Sequence, residues 1–246
     1  MRTIVISDIH GCYKELRALL KKIQYSPKKD DLVINGDLMD RGKDSYKVWD
    51  YLINLKKQND ESCALLWGNH ELMLCEAYGD SGRISRNWDI WGYNGRDDTL
   101  RSFKENGVDG CKDIVRDIRK YFNTYVMLED LALISHAGTV NEDVKEMPFY
   151  ELVWNRDVSN GYTYYDGLQI IGHTPSREPH RLWFNSKTQK WELTILEYNK
   201  RRVLPKSGVI NIDTACVYDG KLTAMCIYDD GTYKLFSVNK GLNINK

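Results

Sequence analysis

Gly36-Asp37-Leu38-Met39-Asp40-Arg41-Gly42 follows Asp31-Leu32-Val33-Ile34-Asn35, a run that reads as a buried strand. Two carboxylates and a guanidinium therefore stand within one turn at a strand's carboxyl end. That is where open α/β sheets put their ligands, and the flanking glycines let the main chain bend around an ion or phosphate. A lone loop of this kind reads equally well as a turn whose aspartates cap their own backbone. Its meaning depends on what surrounds it.

Upstream, the β-branched run from Thr3 to Ser7 leads straight into Asp8-Ile9-His10-Gly11, and Leu16, Leu19, Leu20 and Ile23 then recur at helical spacing over 12–24. Downstream, Val48, Tyr51, Leu52 and Leu55 mark a second amphipathic helix, and the strand from Ser62 to Trp67 delivers Gly68-Asn69-His70-Glu71. Strand and motif have now occurred three times, with helices between. The alternation predicts a parallel sheet with right-handed crossovers and all three motifs along one edge.

Over about 76–123 the rhythm breaks: Trp88, Trp91, Gly92, Tyr93 and Gly95 cluster before helical patterns at 97–105 and 113–122, which predicts an inserted helical cap. Paired strands then span Tyr125 to Glu129 and Leu131 to Ser135, the second delivering His136-Ala137-Gly138. A helical turn from Phe149 to Trp154 ends in Asn155-Arg156, and a strand from Leu168 to Gly172 delivers His173-Thr174-Pro175. From 181 onward short strands alternate, with Asp219-Gly220 and Asp230-Gly231 as hairpin signals. The expected fold is mixed α/β: two sheets packed face to face as a sandwich, helices outside, one domain over 1–246 carrying the cap.

The 246 residues, 42% of them hydrophobic, suffice for a full core. Lys+Arg and Asp+Glu are equal at 35 each, which argues against a dedicated binder of nucleic-acid polymers or membrane surfaces. The first residues lack a signal-peptide pattern, no run has the length to span a bilayer, and six cysteines without a CxxC pair suit reduced thiols. A cytoplasmic enzyme is expected.

Histidine placement is the sharpest signal. Of five histidines, His10, His70, His136 and His173 follow or end a predicted strand, in company with Asp8, Asp37 and Asn69. Imidazole, carboxylate and amide oxygen without thiolate make a borderline-hard donor set suited to Mn, Fe or Zn. Six candidate ligands (Asp8, His10, Asp37, Asn69, His136, His173) exceed the needs of one catalytic ion, so two are expected, with Asp37 the natural bridge. Water held by such ions is acidified to a pKa of about 7.

The motifs SDIHG (7–11), GDLMDRG (36–42), GNHE (68–71), HAG (136–138) and GHT (172–174) resemble, in order, those of the metal-dependent phosphoprotein phosphatases. The resemblance covers residue 7 to about 174, with a looser match over Asn211–Thr214 and Gly220–Thr223. It implies that Asp8, His10 and Asp37 hold one metal and that Asp37, Asn69, His136 and His173 hold the other. It further implies that His70, paired with Asp40, protonates the leaving oxygen, and that Arg41, Arg156 and Asn69 bind the phosphate. Forked guanidinium donors suit the equatorial oxygens of an in-line displacement, and a carboxylate such as Asp40 would fix the His70 tautomer and favour its charged ring.

Departures from the pattern are Ser7 for the first glycine, Met39 for valine and Ala137 for a glycine whose φ, if positive, would strain an alanine. In the cap, Arg86, Trp91, Tyr93 or Arg96 face substrate, or the tryptophans form the cap's own small core. The resemblance implies hydrolysis of phosphoserine or phosphothreonine, and of phosphotyrosine as an extension, by attack of a dimetal-bound hydroxide. The second reading is a dinucleoside polyphosphate hydrolase of the same superfamily, and the third a non-catalytic binding module. Asp40 together with Glu71 tilts the choice toward the phosphomonoesterase.

Overall fold

In a computed structural model describing residues 2–78, 87–129 and 131–241, the first part of the chain alternates strand and helix. It runs β1 (Arg2–Ile6), α1 (Tyr13–Lys22), β2 (Asp30–Ile34), α2 (Ser45–Gln58), β3 (Cys63–Leu66) and α3 (Asn69–Tyr78). Within the predicted cap lie α4 (Trp88–Gly92), α5 (Arg96–Glu105), α6 (Lys112–Tyr121) and the two-residue strand β4 (Phe122–Asn123). Next come β5 (Tyr125–Leu128), β6 (Ala132–Ser135), α7 (Phe149–Trp154), β7 (Leu168–Ile171), β8 (His180–Asn185) and β9 (Lys190–Ile195). The chain closes with β10 (Arg201–Val203), β11 (Gly208–Asn211), β12 (Lys221–Tyr228) and β13 (Thr232–Asn239).

Two mixed sheets result, ordered β10-β13-β12-β1-β2-β3-β4 and β5-β6-β7-β11-β8-β9. Period-two alternation in β1 and β2 sends Ile4, Ile6, Leu32 and Ile34 toward helices α1 and α2, where Leu16, Leu19, Val48 and Leu52 meet them. Val5 and Val33 point the other way, into the space between the sheets, and pack with Ile134, Ile170, Ile210, Met225 and Leu235. Each central strand is thus buried on both faces, which is why it reads as a continuous apolar run.

Parallel pairing fixes where the strands end. Ile6 lies opposite Ile34, and Ile34 opposite Leu65, so the three following motifs emerge side by side. In the second sheet β6, β7 and β11 are parallel, and they release His136, His173 and Asp213 at their carboxyl ends. The Asn35 side-chain amide donates to the Ser135 carbonyl at 3.1 Å and ties the sheets together at that rim.

One turn differs from expectation. Asp230-Gly231 joins β12 to β13 as a hairpin, but Asp219-Gly220 closes the turn Cys216–Tyr218 between β11 and β12, which belong to different sheets. A local turn signal cannot tell a hairpin from a sheet-to-sheet crossing. The strands β4 and β10, of two and three residues, are too short to carry a strand pattern in the sequence.

Candidate metal centre

The Asp8 and Asp37 loops pair beyond their strands: His10 N–H donates to the Asp37 carbonyl at 2.9 Å, and Gly11 N–H to that of Leu38 at 2.9 Å. Asp8, His10, Asp37, Asp40, Arg41 and His173 all have positive φ. Non-glycine residues in that region cost roughly 1–3 kcal/mol each and persist where surrounding bonds over-determine them. At Asp37 the bonds come from Glu71. Its carboxylate accepts from Asp37 N (2.8 Å), Leu38 N (2.9 Å) and Gly68 N (3.0 Å). A Cβ on Gly68 would lie 2.2 Å from Asp37 Oδ1, so only glycine lets the third motif approach the second.

Asp37 is the hub. His10 Nδ1 donates to the Met39 carbonyl (2.7 Å) and His136 Nδ1 to that of Asn35 (2.8 Å), which leaves each Nε2 with a lone pair. His10 Nε2 lies 3.4 Å from Asp37 Oδ2, and His136 Nε2 lies 3.4 Å from Oδ1. The two oxygens of one buried carboxylate therefore face two different imidazoles. Asn69 Oδ1 completes the second side, 3.2 Å from His136 Nε2 and 3.0 Å from His173 Nδ1. Asp8 accepts from the main-chain N–H of His173 at 3.1 Å and carries the Ser7 hydroxyl on its Oδ2. Ligand atoms of Asp8, Asp37 and His136 all fall within 4.8 Å of one another, as do those of His10, Asp37 and His70.

Charge shows what the cluster needs. Burial disfavours ionised groups, yet Asp37 lies well below the usual carboxylate range because His136, His70 and His10 surround it. Burial also opposes charge on His10 and His136, but Asp37 lifts them to about 9 and about 10. Asp8 is pushed up by burial and by Asp37. Asp213, held by burial and by Asp8, stands well above the carboxylate range. Alone, these side chains balance their charge only by keeping protons on lone pairs that converge. Divalent cations would supply that charge instead, and the buried His173 Nε2, which has no hydrogen-bond partner among the described residues, marks the polar character of the rim. The residues fit a pair of metal ions.

His70 stands beside this cluster. Its Nδ1 is 2.7 Å from Asp40 Oδ2, its Nε2 has no hydrogen-bond partner among the described residues and lies 3.9 Å from Asp37 Oδ2, and its ring meets that of His10 edge-on at 4.6 Å. Contrary to expectation, the ring is not biased toward its charged form: burial lowers its pKa, and His10 adds to the effect against the pull of Asp37 and Asp40. Arg41 Nη1 lies 2.8 Å from His10 Nε2. Arg156 is at the exposed rim, donating to Thr174 Oγ1 at 3.2 Å.

Several residues shape the site without a local sequence signal. Glu71, expected to bear on the leaving group, is instead fully buried and holds main chain. Trp91 Nε1 donates to Asp40 Oδ2 at 2.8 Å, and Thr99 Oγ1 to Asp40 Oδ1 at 2.5 Å while accepting from Asp40 N at 2.9 Å. The cap therefore clamps the Asp40 carboxylate. Trp91 also packs against Trp88 and Tyr78, so it is both cap core and site support and does not face substrate. Arg96 turns away too: it bonds the Trp88 carbonyl (2.9 Å) and Asp97 (2.8 Å). Tyr93 is exposed, and Arg86 lies outside the described residues. Ala137 has no positive φ and is unstrained. Asp213 could have been found from its place at a strand end, like Asp8 and His136.

Fold and centre together define a metallophosphoesterase. The chain belongs to the calcineurin-like phosphoesterases, whose family model matches residues 1–204. It is 31% identical over 231 residues to a symmetrical bis(5'-nucleosyl)-tetraphosphatase of Buchnera aphidicola, covering 92% of this chain and 72% of that one. It is 30% identical to the asymmetrical bis(5'-nucleosyl)-tetraphosphatase PrpE of Anoxybacillus flavithermus, covering 90% and 88%. A 48% identical stretch of a symmetrical enzyme from Photorhabdus laumondii spans 87 residues, 35% of this chain and 29% of that relative. Among solved structures, a protein described provisionally as a diadenosine tetraphosphatase superposes with TM-score 0.63 at 19% identity, covering 98% of this chain and 95% of that one. A protein serine/threonine phosphatase from Saccharomyces cerevisiae gives 0.59 at 14%, covering 99% and 81%, which speaks for the fold alone.

The protein-phosphatase reading is thereby corrected. The long relatives are named for dinucleoside tetraphosphates and not for phosphoproteins. The physical reason is that the five motifs offer side chains suited to metal and phosphate, which monoester and anhydride share, so they carry no information about the leaving group. No described helix is long and apolar enough to cross a membrane.

Proposed function

We propose that this chain is a manganese-dependent dinucleoside tetraphosphate hydrolase. Support for the substrate comes from the two tetraphosphatases aligned along nine-tenths of the chain. Support for the chemistry comes from a single observation: the two oxygens of Asp37 face separate imidazole groups, the arrangement of a carboxylate shared by two cations.

In this reading Asp8, His10 and Asp37 would hold one ion, and Asp37, Asn69, His136 and His173 would hold the other. Bound cations acidify a water and neutralise phosphate charge. The Met39 and Asn35 carbonyls keep His10 and His136 in the tautomer that presents Nε2 inward. Arg41 and Arg156 grip the non-bridging oxygens of the phosphoryl group under attack, holding it in line. A water oxygen forms the new bond to phosphorus and releases a proton to solvent, the bridging P–O bond breaks, and the departing nucleotide takes the electron pair. His70, oriented by Asp40, stands where it can hydrogen-bond that departing oxygen. A leaving phosphate needs less protonation than an alkoxide.

The test is a turnover panel with Mn supplied: diadenosine tetraphosphate, a phosphoserine peptide and an aryl phosphate. The expected result is a large preference for the dinucleotide, with chromatography of the products locating the bond that breaks. Faster turnover of the phosphopeptide overturns the reading.

A further inference from the structure

A cavity of about 530 Å³ adjoins the centre, within the roughly 300 to 1,000 Å³ usual for small-molecule sites. Its walls are the two loops that leave the metal cluster: Pro175–Arg177, directly after His173-Thr174, and Thr214–Gly220, directly after Asp213. One side chain links cluster and cavity. Arg41, with Nη1 at 2.8 Å from His10 Nε2, places its guanidinium carbon 5.5 Å from the ring centre of Tyr218 in the cavity wall.

We propose that this cavity seats one terminal nucleoside of the substrate, with its base on the ring of Tyr218 and the adjoining phosphates reached by Arg177. The inference rests on the dinucleoside tetraphosphate reading above.

Tyr218 is 57% exposed, yet the turn that carries it is firmly held. Ala215 and Asp219, on either side of Cys216–Tyr218, both have positive φ, at 58° and 62°. Asp213 Oδ1 accepts from Ala215 N (2.9 Å), and the Ala215 carbonyl accepts from Tyr218 N (2.9 Å) and Gly220 N (3.0 Å). A large aromatic ring is thereby presented to solvent at little further ordering cost, as a stacking platform requires. With Arg41 on one side of the ring, the base stacks on the other.

The polar groups match the remainder of a nucleotide. Arg177 and Asp219 have no side-chain hydrogen bond or ion pair among the described residues, whereas Lys221 is engaged by Glu178. The free guanidinium suits a phosphate chain running from the metal cluster, and the free carboxylate accepts from ribose hydroxyls. A phosphomonoester that ends at the scissile group would use none of these groups.

The experiment measures kcat/KM of the Mn-loaded enzyme for diadenosine tetraphosphate and for an aryl phosphate that carries no nucleoside. Stacking on an aromatic side chain contributes roughly 1–3 kcal/mol per base, so Tyr218→Leu is expected to lower the dinucleotide-to-aryl selectivity about tenfold, chiefly through KM. Arg177→Gln, at an exposed position, is expected to lower it in the same sense. Selectivity within about twofold of wild type in both variants overturns the assignment. So does an equal loss on both substrates in Tyr218→Leu with no effect of Arg177→Gln, because Tyr218 then only supports Arg41. Wild-type enzyme that turns over aryl phosphate but not the dinucleotide overturns the functional reading and this one together. An active tetraphosphatase with unaltered variants overturns this one alone.

Discussion

Thr99→Val removes one hydroxyl and keeps the shape of the side chain. In the folded protein that hydroxyl donates to Asp40 Oδ1 at 2.5 Å and accepts from Asp40 N at 2.9 Å, and Thr99 is fully buried. Losing a bond to an ionised carboxylate costs about 1.5–3 kcal/mol, and orphaning a buried N–H adds about 1–2 kcal/mol. The sum is about 2.5–5 kcal/mol. For a chain of this length each kcal/mol moves the melting temperature by about 2–4 °C, so the variant should melt about 5–20 °C lower. Asp40 keeps its bonds to Trp91 Nε1 and His70 Nδ1, so the fold should survive with a less firmly placed His70. The assay is calorimetry beside turnover of phosphate esters that differ in leaving-group pKa. The slowest leaving groups should lose the most, about tenfold out of the roughly 100 to 10,000-fold that positioned proton transfer contributes. Melting within about 2 °C of wild type, with unaltered turnover across the series, refutes the claim that the cap holds Asp40.

Asp37→Asn removes the carboxylate shared by both halves of the centre, and metal affinity should fall by at least about 100-fold together with activity; dialysed variant that retains its full metal complement refutes the shared-ligand reading. His70→Asn should keep its metal, slow alkyl phosphomonoesters by about 100-fold or more, and slow diadenosine tetraphosphate less; equal losses on the two substrates refute a proton-donating role. The third concerns pH. Asp30 is bound by Arg2 Nε at 2.8 Å and Nη2 at 3.1 Å. Burial raises its pKa, but the Arg2 bonds and the Ser26 N–H outweigh this and leave it lowered. Because the folded carboxyl is the stronger acid, its contribution is complete above an unfolded pKa of about 3.9 and fades as pH falls through the folded value. Asp30→Asn should therefore cost about 2 kcal/mol at pH 7 and much less near pH 2, read by denaturant titration at both; an equal loss at the two pH values refutes the linkage.

The five motifs were legible because each is local. A β-branched run predicts a strand, the next few residues sit at its end, and parallel pairing brings such ends together, so Asp8, His10, Asp37, Asn69, His136 and His173 could be grouped from the sequence. The sandwich with outer helices followed from the same alternation. The leaving group was not legible, because metal and phosphate ligands serve ester and anhydride alike.

Contacts across long stretches of chain were settled only by tertiary structure. β12 and β13 return to the first sheet beside β1, more than 200 residues from it in sequence, a choice that strand periodicity does not encode. Trp91 and Thr99 carry no local sign that they reach Asp40, and Glu71 none that it binds the main chain of Asp37. Tyr218 and Arg177 share a cavity because the parallel neighbours β7 and β11 end at one rim, a pairing between segments about 40 residues apart. Sequence spacing specifies which element a residue belongs to and which face it occupies. Which distant group it meets depends on how those faces pack, and packing is a property of the whole chain.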